Sequence, residues 1–253
     1  FLVIAGKSLD RFEKLKKSLI GFDLHLFQVL QEPTVSIIEN ITQESRKIQA
    51  DGVIGIGGGS VLDTSKAVAI LHQNRGPVKD YLEIIGSGKA LEKDSLPTIL
   101  IPTTAGTGSE ATKNSVIKCT EHRVKVSLRS DKMVPKLVVL DPTLTLGLPV
   151  KPTSYTAFDA LTQLIESYVS CRAGFMSDLF CKAGLKLISE SITKVFDSGK
   201  NLEARGQLLL ASYYSGVSLA NSGLGAVHGF AGPLGGIEEA PHGGVCASLL
   251  NSV

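Results

Sequence analysis

Four side chains in the second half of the chain have the types and spacing to hold a divalent metal ion. Asp159 and Gln163 stand four apart in a stretch with helical periodicity, and His228 and His242 follow in a glycine-rich stretch. Residues at i and i+4 project from one helix face, which is the geometry two ligands on one element need. Two oxygens and two imidazoles suit a first-row ion such as Fe²⁺, Zn²⁺, Mn²⁺ or Ni²⁺. Such an ion acts as a Lewis acid on a carbonyl or alkoxide oxygen. Gln163 is the weak member, because a neutral amide oxygen is a poor donor to Fe²⁺ or Zn²⁺. It lowers the expected affinity and shifts the expectation toward a harder ion such as Mn²⁺ or Mg²⁺. Asp159, His228 and His242 alone still match catalytic zinc sites that keep an open position. Taken singly, each residue also has an ordinary structural reading. Asp159 reads as an early-helix acid favoured by the dipole, Gln163 as a polar face residue, His228 as a satisfied helix histidine and His242 as a loop residue after Pro241.

A second chemistry is written in glycines. Gly52-Val53-Ile54-Gly55-Ile56 reads as a strand that runs into Gly57-Gly58-Gly59-Ser60, and a helical pattern continues from Val61. Backbone amides at such a helix N-terminus point at an anion, and phosphate is its natural occupant. Ser60 and Asp63 also match the S-x-x-D capping box. Neither a P-loop nor a G-x-G-x-x-G fingerprint is present, and a tight strand-to-helix turn that binds nothing is the alternative. Ile101-Pro102-Thr103-Thr104-Ala105-Gly106-Thr107-Gly108-Ser109-Glu110 then places hydroxyls and bare amides directly after another strand. Two such loops at strand ends favour a dinucleotide over a pair of solvated turns.

The elements that must position these residues alternate in type through the first half. Phe1–Ala5, Leu24–Val29 and Gly52–Ile56 read as strands, with helices expected over Leu9–Ile20 and Thr34–Gln49. Thr98–Ile101 and Leu137–Leu140 add two buried strands. This alternation predicts an α/β fold with a parallel sheet. After Asp141-Pro142 the β-branched runs give way to helical patterns over Ser154–Ser170, Ser177–Val195 and Leu202–Ala220. The expected division is a dinucleotide-binding α/β domain over 1–145 and an all-helical metal and substrate domain over 146–253.

With 253 residues and 43% hydrophobic content the chain can bury a substantial core. A formal net charge of +2 with interleaved signs gives no electrostatic footprint for nucleic acid or an anionic membrane. No apolar run reaches the roughly 18 residues that span a bilayer. Small-molecule partners are therefore expected. Cys119, Cys171, Cys181 and Cys246 form no C-x-x-C pair, and a chain of this size has no need of disulfide staples, so a reducing, cytoplasmic setting is expected. The chain opens on a strand-like run without Met and closes inside a helical one. The expectation is a piece of a longer protein with its helical domain truncated.

Gly57-Gly58-Gly59-Ser60-x-x-Asp63-x-x-Lys66, Pro102-Thr103-Thr104-Ala105-Gly106-Thr107-Gly108-Ser109-Glu110, Asp159-Ala160-Leu161-Thr162 and Pro241-His242-Gly243 occur in this order. Together they resemble the iron-containing (group III) alcohol dehydrogenase family across nearly the whole chain. The resemblance implies a dehydroquinate synthase-like architecture, an α/β dinucleotide-binding domain followed by a helical one, and a homodimer. It implies interconversion of a small alcohol with an aldehyde or ketone, using NADP or NAD and a bound Fe²⁺ or Zn²⁺, with Mn²⁺ admitted by Gln163. Carried over by position, Gly58, Gly59 and Ser60 would hold the pyrophosphate, with Asp63 nearby. Thr103, Thr104, Thr107 and Thr112 would line the nicotinamide and ribose, and Lys125 would reach a ribose hydroxyl. Read on its own, Lys125 is a solvated lysine on an edge strand, Arg123–Leu128.

Two departures from the family pattern bear on mechanism. The family places His where this chain has Gln163. Many relatives also carry a histidine, regarded as a proton relay, where this chain has Gly232, so no general acid is named. Cofactor choice turns on Gly6, which stands where NAD-preferring relatives carry a ribose-binding acid. With Lys7 beside it, that position should tolerate or favour NADP(H). The competing readings are a non-catalytic or metal-free cofactor-binding relative, and a dehydroquinate synthase-like lyase. The lyase would need a basic cluster for its anionic substrate, and the helical motifs carry none.

Overall fold

The computed structural model of the protein describes residues 1–237 and 240–253. It divides into two compact units, Phe1–Pro102 with Lys113–Val139, and Thr103–Thr112 with Leu140–Val253.

The first unit is built on a parallel sheet of β1 (Leu2–Ala5), β2 (His25–Gln28), β3 (Val53–Gly57), β4 (Thr98–Pro102) and β7 (Leu137–Val138) in the order β2-β1-β3-β4-β7. Every residue of β1 and β3 is buried, as expected for strands covered on both faces. The helices are α1 (Leu9–Ser18), α2 (Val35–Lys47) and α3 (Gly59–Gln73). Thr34 caps α2 by accepting the Ile37 N–H at 3.3 Å. The chain runs from β1 outward to β2, then returns to place β3 on the opposite side of β1. Strand order therefore reverses between β1 and β3, and in open parallel sheets the crevice beyond the strand ends at such a point is where ligands bind.

An antiparallel pair, β5 (Asn114–Cys119) with β6 (Val124–Arg129), completes this unit. The expected edge strand at Arg123–Leu128 is β6, but its partner β5 gave no strand expectation. Ser115, Ile117 and Cys119 of β5 point inward and are buried. The expected capping box does not form, because α3 starts earlier. Its N-cap is Gly58, with no side-chain cap, and Ser60 and Asp63 both lie inside the helix. Asp63 instead pairs with the fully buried Lys66 at 3.1 Å and accepts the Val116 N–H at 2.9 Å. Lys66 in turn donates to the Asn114 carbonyl, so this buried pair ties α3 to β5.

The second unit is helical: α4 (Val150–Tyr168), α5 (Phe175–Asp197), α6 (Leu202–Ser222), α7 (Ala226–Ile237) and α8 (His242–Leu249). Ala157, Ala160 and Leu164 of α4 meet Ile188 of α5 and Leu208 and Ala211 of α6 in its core. His228 lies in the first turn of α7, in keeping with its reading as a helix histidine, whereas His242, expected in a loop, is the first residue of α8, which starts earlier than the helical run expected at the chain's end. The loop Thr103–Thr112 packs here as well. Gly108, with φ of +63°, lies against Gly216 of α6, where an added Cβ would come within 2.6 Å of the Gly216 Cα. Among the described residues no helix is long and apolar enough to cross a membrane.

Candidate metal centre and dinucleotide cavity

In the helical unit, α4, α7 and α8 bring Asp159, His228 and His242 together. His228 Nε2 lies 3.2 Å from Asp159 Oδ1, and His242 Nε2 lies 3.7 Å from the same oxygen. Cys246, one turn beyond His242, joins them. Its Sγ is 3.8 Å from both Nε2 atoms, and the four ligand atoms all lie within 4.8 Å of one another. Asp159 and Cys246 are buried, whereas the His242 side chain is 45% exposed, so the cluster opens on that side.

Behind the cluster stands Glu166, two turns along α4 from Asp159 and buried. Its Oε2 is 2.5 Å from His228 Nδ1, while its Oε1 accepts the Val227 N–H at 2.7 Å. A carboxylate on the far nitrogen of a ligating histidine fixes the tautomer and turns the other nitrogen toward the ion. Sequence reasoning missed Glu166. Asp159, Gln163 and Glu166 at i, i+4 and i+7 form a stripe of large polar side chains on a helix whose other buried residues are small or apolar, and that stripe was the available signal.

Gln163 is engaged elsewhere. Its Oε1 accepts the Ser215 hydroxyl at 2.7 Å, and its Nε2 donates to the Thr107 carbonyl at 3.4 Å.

The electrostatics are those of a site charged against its burial. Burial disfavours the His228 imidazolium, but hydrogen bonds to Asp159, Cys246 and Glu166 outweigh it and raise its pKa to about 11. His242 is raised chiefly by its contact with Cys246, against burial and with help from Asp159. Burial opposes ionisation of Cys246 and Glu166, yet the two histidines lower the thiol and His228 with the nearby backbone N–H groups lowers the carboxyl.

In the sheet unit, Gly6, Gly58, Gly59 and Ser60 line one cavity with Val29, Leu30, Gln31, Glu32 and Val61, about 290 Å³ in volume. It lies at the ends of β1 and β3, where the strand order reverses. Lys125 is not the solvated lysine of the plain reading: its side chain is 18% exposed and its Nζ lies 2.5 Å from Oε1 of Glu32. Asp63 does not line the cavity and is committed to Lys66 and Val116. Thr103, Thr104, Thr107 and Thr112 are not among the lining residues and belong to the helical unit. There, Thr107 Oγ1 accepts the Ser109 N–H at 3.3 Å, and Thr112 Oγ1 donates to the Ser109 carbonyl at 3.3 Å.

The family model for iron-containing alcohol dehydrogenase matches residues 1–142, and the model for the C-terminal part of the Fe-containing alcohol dehydrogenase family matches residues 153–253. The chain belongs to the iron-containing alcohol dehydrogenase family. Among curated members it is 39% identical to long-chain-alcohol dehydrogenase 1 of Geobacillus thermodenitrificans, over 91% of this chain and 58% of that protein. It is 33% identical to the NAD-dependent methanol dehydrogenase of Bacillus methanolicus, over 98% of this chain and 64% of that protein. The chain thus spans about three fifths of the length of the curated relatives it matches. A crystal structure of sulfoacetaldehyde reductase from Bifidobacterium kashiwanohense in complex with NAD⁺ superposes with a TM-score of 0.92 at 29% identity, covering 99% of this chain and 67% of that one.

The residues present fit what an iron-containing alcohol dehydrogenase binds, NAD(H) and a divalent metal. For the metal, an acid, two imidazoles and a thiol converge in one partly buried cluster with a carboxylate behind one histidine. For the dinucleotide, the N-terminus of α3 has no side-chain cap and lies at a cavity that Gly6, Gly58 and Gly59 help to line.

Proposed function

We propose that the protein is a metal-dependent oxidoreductase that moves a hydride between NAD(P)(H) and a small alcohol or its aldehyde or ketone. The observation that carries the reading is the convergence of Asp159, His228 and His242 on one largely buried point, with Glu166 bracing His228. A divalent ion bound there, Fe²⁺ or Zn²⁺, supplies Lewis acidity to the substrate oxygen. Asp159 and the two histidines hold it. Glu166 keeps His228 Nε2 turned toward the cluster, and the half-exposed side at His242 admits the substrate. Gly58, Gly59 and Ser60 offer backbone N–H groups to the cofactor pyrophosphate, and the fixed dipole of α3 favours its charge.

The cofactor itself carries the redox chemistry, and the protein aligns it. NADP(H) is accepted beside NAD(H) in this reading. Gly6 places no acid at the end of β1, and the one carboxylate lining the cavity, Glu32, is compensated by Lys125. A homodimer in a reducing, cytoplasmic compartment goes with the same reading. The four cysteines, all free in the structure, support the compartment, and sedimentation velocity tests the dimer.

The direct test is removal and return of the metal in the full-length protein. Chelation abolishes NAD(P)H-dependent aldehyde reduction, and Fe²⁺ or Zn²⁺ restores it. Full turnover by protein shown to be metal-free by elemental analysis contradicts the Lewis-acid role.

A further inference from the structure

Helix α8 begins at His242 and one turn later, on the same face, carries Cys246. Gly243 between them lies so close to α4 that an added Cβ would stand 1.9 Å from the Tyr155 carbonyl oxygen. With the two backbones in contact there, α8 delivers both side chains to Asp159. Cys246 is fully buried, with its Sγ 3.8 Å from Nε2 of each histidine, and Asp159 Oδ1 lies 3.2 and 3.7 Å from those same nitrogens. Donors held at tetrahedral zinc distances from one ion stand about 3.3–3.8 Å apart. Of the six separations among the four donors, these four fall in or beside that range, and all six lie within 4.8 Å. The Gln163 amide, by contrast, spends its oxygen on Ser215 and its nitrogen on Thr107.

We propose that Cys246, in place of Gln163, is the fourth protein ligand of the metal centre. The proposal rests on the metal-dependent reading above and changes its chemistry. An Asp-His-His-Cys set is softer than one completed by an amide oxygen, so it holds Zn²⁺ or Co²⁺ in preference to Mn²⁺ or Mg²⁺. That reverses the lean toward a harder ion that Gln163 gives when read from sequence. Zinc sites expand to five ligands, so four protein donors still leave room for a substrate oxygen on the open side at His242.

Cobalt tests this without recourse to turnover. Cys119, Glu121 and His122 form a second trio of close ligand atoms, so the measurement is made in a Cys119→Ser background. Metal-free full-length protein takes up one equivalent of Co²⁺ and shows a thiolate-to-cobalt charge-transfer band in the near ultraviolet. The band disappears in Cys246→Ser and persists in Gln163→Ala. Zn²⁺ affinity falls in Cys246→Ser by more than the ~10–100-fold that loss of an outer-shell partner costs, and changes little in Gln163→Ala. In competition, Zn²⁺ displaces Mn²⁺ from the parent site. One bound equivalent of cobalt without the band overturns thiolate ligation and leaves the metal reading standing. No stoichiometric cobalt overturns the reading beneath it. The parent spectrum decides between these outcomes even if Cys246→Ser fails to fold.

Discussion

The two units hold their candidate sites in opposite ways. In the sheet unit the proposed cofactor site relies on backbone: Gly6, Gly58 and Gly59 line a cavity at the ends of adjacent parallel strands, beside the uncapped N-terminus of α3. In the helical unit the cluster is made of side chains, from helices that begin at Val150, Ala226 and His242, and it needs Glu166 behind His228 to fix a ring nitrogen. A backbone site is local in sequence and tolerates change in most of the side chains around it. A side-chain site depends on each donor and on the packing that delivers it. Substitutions should therefore separate the two.

Asp63 should produce the largest effect and tests whether it belongs to the dinucleotide cavity at all. Asp63→Ala takes the countercharge from the fully buried Lys66 ammonium, and breaking such a pair costs roughly 3–5 kcal/mol. Thermal unfolding should show that loss, while the protein still folded at low temperature binds NADPH nearly as before. Weakened NADPH binding with an unchanged melting temperature would return Asp63 to the cofactor site.

Glu166→Gln comes next. Removing the acid behind His228 should cost ~10–100-fold in Zn²⁺ affinity and leave nucleotide binding unchanged, as read by metal competition and NADPH fluorescence. An unaltered zinc affinity would show that His228 is oriented by packing alone.

Lys125→Ala leaves the Glu32 carboxylate uncompensated where it lines the cavity. NADPH should then weaken relative to NADH by up to ~5-fold, the scale of a partly exposed ion pair. Equal loss for both cofactors would point to the ribose contact implied by family resemblance instead.

The smallest effect lies away from both sites. His72 has its pKa lowered by burial first and then by the Arg46 and Arg75 cations, and its Nδ1 is 2.9 Å from Ser45 Oγ. A histidine depressed in the folded state contributes stability that is present above its unfolded value near 6.5 and is lost as pH falls through the lowered folded value. The melting temperature should fall more steeply below about pH 6.5 in the parent than in His72→Gln. Parallel curves would remove His72 from the account.

How much of this was legible in the sequence follows from the same contrast. The parallel strands and the glycine run after Val53 could be read because hydrophobic runs, glycines and their consequences are all local. The antiparallel strand β5 was not read, although Ser115, Ile117 and Cys119 alternate with outward residues, because two of those three are not strongly apolar. In the helical unit, family order brought Asp159, His228 and His242 together, which periodicity could not do. Cys246 escaped because His242 was read as a loop residue. The i, i+4 relation that puts both over Asp159 exists only once α8 does. Asp63 and Lys125 each look like a surface or cofactor residue until the fold supplies Lys66, Val116 and Glu32 as partners.

The measurement that bears most directly on the central claim is anomalous diffraction from crystals of the full-length protein, collected on both sides of the zinc and iron absorption edges. The account predicts one strong peak among Asp159, His228, His242 and Cys246, with Gln163 outside its coordination sphere. No peak there, or one confined to the second trio of Cys119, Glu121 and His122, would contradict it.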